Sequence, residues 1–190
     1  MRYREIEKER ILAAAIKLVA DSGIENFTAK KAAHKCGISE GSVFSNFKNK
    51  EILLSESLHF IDAQLDERLK EAQWTEHDAF QNVKNLWEVY FQFLMEYPQY
   101  AKFYNQYRHS SFYNREIIKE QISTLQYFIS RVQETAIFQK YDYAVFWVSA
   151  IESTINFVTR IFDGFIENND KNKQDFFNLL FNGVSFLFKD

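Results

Sequence analysis

The chain of 190 residues has one proline, five glycines and one cysteine, and each scarcity excludes something. With a single proline, Pro98, and few glycines, little interrupts a helix, and apolar residues recur at three and four almost throughout. No strand pattern competes with that period. One thiol, Cys36, excludes an intramolecular disulfide framework and a zinc site of four thiolates, and suits a reducing compartment. No apolar run is long enough to span a bilayer, and the opening MRYREIEKERILAAAIKLVADSG lacks the apolar block of a signal peptide. A soluble cytoplasmic protein is the expectation. GxSxG, HExxH, P-loop and paired-carboxylate patterns are all missing, so the sequence does not read as an enzyme and implies no cofactor.

What is present divides unevenly. Residues 1–55 hold 10 Lys/Arg against 7 Asp/Glu, a net +3, and the remainder holds 13 against 19, a net −6. Of 33 aromatic residues only Tyr3, Phe27, Phe44 and Phe47 precede residue 56. A mildly basic start followed by an acidic, aromatic body points to an anionic partner for the first part alone.

The period and the capping residues predict helices in order. The first covers about 6–20, with Ile11, Ala15, Leu18 and Val19 on its apolar face, and Gly23 closes it. Thr28 opens AKKAAHKC and Gly37 ends it; Ser39 opens EGSVFSNF; Asn49 caps a long helix from Lys50 toward Lys70. Five more are expected over 77–97, 99–107, 115–135, 143–167 and 173–188, about nine in all, with 163–175 as the one long polar turn. The long helix from Lys50 crosses the charge boundary without a break, which predicts two mechanically joined parts.

The stretch GISEGSVFSNFKNKE, residues 37–51, is too short and polar to be a core helix. Together with the helix before it, it has the proportions of a helix-turn-helix. Ala32 and Ala33 allow close packing of the pair, and Ile38, Val43 and Phe47 anchor the second helix. Glu40, Gly41, Ser42, Ser45 and Asn46 then face outward, a small hydrogen-bonding face suited to a major groove. Lys30, Lys31, Lys35, Lys48 and Lys50 surround it against Glu40 alone, so residues 26–50 carry +4. Those lysines, with the helix starts at Thr28, Ser39 and Asn49, are the candidate phosphate contacts. Glu40 can favour the helix start or accept from a cytosine amino group.

FTAKKAAHKCGISEGSVFSNFKNKEIL, preceded by a long helix and followed directly by another, resembles the DNA-binding domain of TetR-type transcriptional regulators over about residues 6–55. The resemblance implies DNA backbone or base contacts for Thr28, Ser42, Phe44, Asn46 and Lys50. The family commonly has tyrosine in place of Phe44, and histidine or tyrosine in place of Asn46. Phe44 cannot donate to phosphate, so apolar contact with a thymine methyl is its expected role. The resemblance also implies an all-α protein, its helix-turn-helix domain at 1–50 joined to a ligand-binding and dimerisation domain at 51–190. Two other readings of residues 28–50 stand beside it: a helical hairpin used only for packing, and a helical interaction protein whose basic hairpin binds an acidic protein.

The aromatic body carries the stripe Phe80, Val83, Trp87, Tyr90, Phe91 and Leu94, then Phe103, Tyr104 and Tyr107, with Phe128 beyond. Most of these are expected core, but Trp and Tyr bring polar handles that a plain core does not need. With the family's effector cavity in view, Trp87, Tyr90, Phe91, Phe103, Tyr104, Tyr107 and Phe128 are the candidate ligand residues. Ala144, Val148, Ile151, Ile155, Val158 and Phe162 form one seam, and Phe177, Leu180, Val184 and Leu187 another. Both helices are apolar on a second flank too, which calls for a second neighbour, and a homodimeric four-helix interface supplies it. Val148, Ile151, Ile155, Val158, Phe162, Phe177, Leu180, Val184 and Leu187 are its candidate residues. His34 and Cys36 lie two apart on a helix, facing different sides, and His59, His77 and His109 are scattered, so no metal site is expected. The functional expectation is a homodimeric repressor released from its DNA operator by an apolar or aromatic small molecule. An activator or a ligand-independent repressor is the alternative.

Overall fold

The computed structural model describes residues 2–76, 78–134 and 143–181, and no strand occurs among them. The helices are α1 (Arg2–Ser22), α2 (Ala29–Cys36), α3 (Glu40–Asn46), α4 (Lys50–Leu69), α5 (Ala79–Glu96), α6 (Pro98–Arg108), α7 (Arg115–Thr124), α8 (Gln126–Gln133), α9 (Tyr143–Phe146), α10 (Ser153–Phe162) and α11 (Asp170–Phe181). A 3₁₀ turn (Ile24–Asn26) follows α1, and a π-helical turn (Trp147–Glu152) joins α9 to α10. Residues divide into two compact units, Met1–Gln64 with Lys102–Thr124 and Leu65–Ala101 with Leu125–Asp190. The division falls inside α4 and inside α6.

Unit 1 is built on α1, α2 and α3, which pack in sequence. Ile11, Ala15, Val19, Phe27, Ala32, Val43 and Phe47 are all but fully buried. Local chemistry sets the boundaries of the short helices. Thr28 Oγ1 accepts from the Lys31 amide at 3.2 Å, Ser39 Oγ from that of Ser42 at 3.1 Å, and Asn49 Oδ1 from that of Ile52 at 2.8 Å. Gly37 stops α2 in the left-handed region (φ 66), so that its amide and that of Ile38 reach back to His34 and Ala33 carbonyls.

The same unit buries the Asp62 carboxyl of α4 completely. The Tyr104 hydroxyl donates to it, and Gln121 Nε2 donates at 3.1 Å, so one acid ties α6 and α7 to α4. Phe103 and Tyr107 stack in parallel 5.6 Å apart beside them. Burial pushes the Tyr107 phenol well above the ordinary tyrosine range.

Unit 2 packs α5 against α10. Asp78 caps α5, accepting from the Gln81 amide at 2.8 Å. Pro98, expected only as a stop, is also the first residue of α6, where its missing N–H costs nothing. Trp87, Phe91, Phe157 and Phe177 form the aromatic centre, with Trp87 and Phe177 ring centroids 5.0 Å apart.

Two helices that the sequence reads as single are interrupted. The span 115–135 breaks at Leu125, because Asp66 of α4 accepts from the amides of Tyr127 and Phe128 at 3.2 and 3.1 Å and starts α8 afresh. The span 143–167 contains the π turn and ends at Phe162, with Gly164 (φ 72) closing it. Both interruptions come from tertiary partners or turn width rather than from proline. The expected start at residue 77 and the stretch 182–188 lie outside the described residues; α11 begins at Asp170, three residues before its expected start at 173.

Tyr104→Phe removes the hydroxyl from a buried carboxyl and should cost about 1–3 kcal/mol. Urea unfolding should show a lower midpoint at an unchanged slope. An unaltered midpoint would mean that Asp62 does not depend on this donor.

Candidate nucleic-acid interface and effector cavity

The turn between α2 and α3 is fixed by the capping bonds above, and they decide what α3 presents. Glu40, Gly41 and Ser45 are exposed, and the Phe44 ring is 46% exposed, large for an apolar side chain. Ser42 is half-buried, its hydroxyl 3.0 Å from that of Ser39. Ser45 Oγ donates back to the Ser42 carbonyl at 2.8 Å. Asn46 departs from the expected outward face. It is half-buried, with Nδ2 donating to the Ser42 carbonyl at 2.9 Å and to Glu7 Oε1 of α1 at 3.2 Å. The carboxylate of α1, remote in sequence, draws it back.

Gly41 is informative for the opposite reason. A Cβ built there meets nothing closer than Ser39 Oγ at 3.7 Å, an ordinary contact. The fold itself has no steric need for glycine at this position, although glycine weakens a helix. What the missing side chain leaves open is the outer surface of α3.

The five lysines also separate. Lys30, Lys35 and Lys48 are exposed and have no carboxylate partner among the described residues. Lys31 Nζ donates to the Asn26 carbonyl at 2.7 Å. Lys50 is turned inward: Nζ donates to the Ile24 carbonyl at 3.1 Å and lies over the Phe27 and Phe112 rings, 5.9 and 5.4 Å from their centroids. Its expected role as a phosphate contact therefore competes with an internal one. Thr28 is exposed with its oxygen committed to the cap.

Behind α2, Arg10 Nη2 donates to the Cys36 carbonyl at 3.1 Å, a link the sequence did not suggest. Burial is the main influence on the Cys36 thiol and pushes it up, so it is a poor thiolate. No three His, Cys, Asp or Glu side chains converge as for a metal ion among the described residues.

In unit 2 a cavity of about 20 Å³ is lined by Trp87, Tyr90 and Phe128 as expected, together with Val83, Leu86, Val132, Phe146, Ala150, Ile151 and Phe181. It is small, with room for about one water molecule, and its walls are apolar. The polar handles point at the π turn and its edge: Trp87 Nε1 donates to Thr154 Oγ1 at 3.0 Å, and the Tyr90 hydroxyl to the Ile151 carbonyl at 3.3 Å. Phe91 packs on Trp87 and Phe157 instead of lining the cavity. Phe103, Tyr104 and Tyr107 belong to the core of unit 1, where Asp62 and ring stacking hold them. Val132 and Ala150 went unforeseen because small aliphatic residues carry no signal of a binding wall.

The expected interface set separates as well. Ile155, Val158 and Phe177 are 4%, 0% and 2% exposed within one chain, so they are core and not interface. Val148 is 56% exposed, and Ile151, Phe162 and Leu180 are half-buried. Val184 and Leu187 lie outside the described residues. The physical reason is the π turn, whose wider turn admits an extra residue and rotates the following stripe by about 100°. A seam continuous in an ideal helix is thereby split into an outer part before the turn and an inner part after it. Val145, Phe165 and Leu179 are exposed apolar residues that the seam did not include.

A three-helix head with an exposed, partly polar third helix and unpaired lysines has the architecture of a helix-turn-helix head. Residues 11–56 match the family model described as bacterial regulatory proteins, tetR family. The chain is similar to the HTH-type transcriptional regulator YerO of Bacillus subtilis, 44% identical over 48 residues, 25% of this chain and 17% of that relative. Its fold is that of a TetR family transcription regulator from Marinobacter aquaeolei, with TM-score 0.80 at 20% identity, covering 96% of this chain and 97% of that one. The fold is shared too with FadR of Bacillus subtilis in complex with stearoyl-CoA, with TM-score 0.68 at 19% identity over 93% and 98% of the two chains. No helix among the described residues is long and apolar enough to cross a membrane.

Gly41→Ala should raise fold stability by about 0.5–1 kcal/mol while weakening duplex binding. Thermal melts and anisotropy on the same sample test this, and gains in both would remove the close-approach reading. Lys48→Ala should flatten the log affinity against log salt slope by about 0.9, whereas Lys50→Ala should leave the slope unchanged and lower stability. Equal slopes for the two variants would show that Lys50 leaves its internal partners to meet phosphate.

Proposed function

We propose that the protein is a homodimeric TetR-type repressor released from its operator by an apolar or aromatic small molecule. The observation that carries the DNA-reading half is Gly41, an exposed helix-weakening residue where the fold has no steric need for glycine, with exposed Phe44, Ser45 and Lys48 following it. Two such heads in a dimer read successive major-groove faces of a near-palindromic duplex. Thr28, Lys30, Ser39, Glu40, Ser42 and Asn46 support α3 or border it. The dimer half rests on Val148, Phe165 and Leu179, exposed apolar residues that a single chain leaves in water.

The effector half rests on the apolar cavity beside the π turn. The cavity is too small for a ligand as it stands, so an effector acts by favouring a wider conformer. Only its preference between conformers moves the equilibrium. Helix α4, which contributes to both units, is the element we assign to carry that change to the reading heads. The small size of the cavity is also the observation that favours a second reading, repression without any effector, in which the aromatic residues of unit 2 are core alone.

The test is selection of bound duplexes from random DNA, then anisotropy on the winner at several salt concentrations. A near-palindromic winner preferred roughly 1,000-fold or more over random duplex is expected. No shared sequence, with binding that vanishes as salt rises, would leave charge attraction alone and favour a helical interaction protein whose basic hairpin binds an acidic protein. For the dimer, Val148→Asp combined with Leu179→Asp should yield a folded monomer in sedimentation. A dimer that persists would place the interface elsewhere.

A further inference from the structure

We propose that the effector is an amphiphile whose apolar body enters the cavity of unit 2 and whose anionic head is held by Lys84 and Lys173. This rests on the reading that the cavity takes an effector, and it assigns a second, polar part to the site. A recess of about 190 Å³ lies between α5 and α11, lined by Lys84, Glu88, Asp170, Lys173 and Gln174, with Trp87 and Phe177 as its aromatic floor. Trp87 belongs to the wall of both spaces. A molecule with one polar and one apolar end meets both kinds of surface around this single indole.

The lysines are placed for an anion. Lys173 Nζ lies over the Trp87 and Phe91 rings, 5.9 and 5.2 Å from their centroids, and Lys84 Nζ lies 5.8 Å from that of Phe177. Glu88 and Asp170 share the recess, yet neither lysine has a carboxylate oxygen within 4.0 Å among the described residues. Ring faces attract an ammonium without saturating its N–H donors. Those donors are the unspent hydrogen-bonding capacity of the recess, and a carboxylate or phosphate oxygen takes charge-assisted bonds from them. The two acids limit how much negative charge the recess accepts, which favours a compact head of low charge over an extended polyanion. Both lysines are half-buried, so the head binds at the mouth while the tail displaces the contacts of Trp87 and Tyr90 with the π turn.

Calorimetric titration of the full chain, below micelle-forming concentrations, with laurate, dodecyl phosphate, dodecanol and dodecyltrimethylammonium tests this. We expect at least one anion to bind roughly tenfold or more tighter than dodecanol, with the cation weakest. The tighter anion identifies the head as carboxylate or phosphate. In K84Q/K173Q, checked for an unchanged melting temperature, that advantage should vanish while dodecanol affinity stays. Equal affinities for anions and dodecanol, or an advantage that survives the double substitution, overturn the head-group site and leave an apolar effector standing. Binding of none of the four compounds, or binding unaffected by Ala150→Trp in the cavity wall, overturns the effector reading itself.

Discussion

Two carboxyl groups on one helix, Asp62 and Asp66, constrain much of the rest. Both are buried, and neither can stay so without hydrogen-bond donors, since an unsatisfied polar group inside costs several times what a satisfied one contributes. Asp62 recruits Tyr104 and Gln121 in unit 1, and Asp66 recruits two backbone amides in unit 2. The second requirement explains why α7 does not continue into α8. A helix running through residue 125 would spend the amides of Tyr127 and Phe128 on its own carbonyls and strand the acid. The chain breaks its helix instead and obtains a cap for the new one.

How much of this was legible follows from the range of the interactions. Thr28, Ser39, Asn49 and Gly37 act within one turn of themselves, so sequence alone placed α2, α3 and the start of α4. The break at Leu125 depends on an acid about sixty positions earlier, and no local residue type announces it. Asn46 has a serine-rich outer face around it in sequence and a glutamate from α1 beside it in space. Phe103, Tyr104 and Tyr107 fall in the core of unit 1 and not in the cavity wall for a related reason. Aromatic composition reports burial, and burial is common to a core and to a pocket.

The π turn has the widest consequences of these non-local features. It splits the seam that periodicity drew through Val148, Ile151, Ile155 and Val158, sending the first toward solvent and the last two into the core. It also presents the Ile151 carbonyl to the Tyr90 hydroxyl, and Thr154 beside it receives the Trp87 indole. One local change of helix width therefore sets both the exposure of Val148 and the polar contacts of the cavity. Turns of this kind are uncommon, and they recur at functional sites.

A nearly filled cavity is compatible with control by a ligand when the contacts that close it are individually weak. The bonds from Trp87 and Tyr90 to the π turn and its edge contribute on the order of 1 kcal/mol each. Moving the cavity wall also disturbs the packing of lining residues such as Phe128, Val132 and Ala150. Burying about ten methylenes of a ligand offers on the order of 8 kcal/mol in return, more than the two hydrogen bonds resist, so an apolar body of that length has enough driving force to select the wider conformer. A ligand of a few carbons does not, because it offers little more than the closing contacts already supply. Under the effector reading proposed above, the small cavity sets a lower limit on ligand size, and a preference for long apolar bodies follows from that size itself, without any residue dedicated to measuring length.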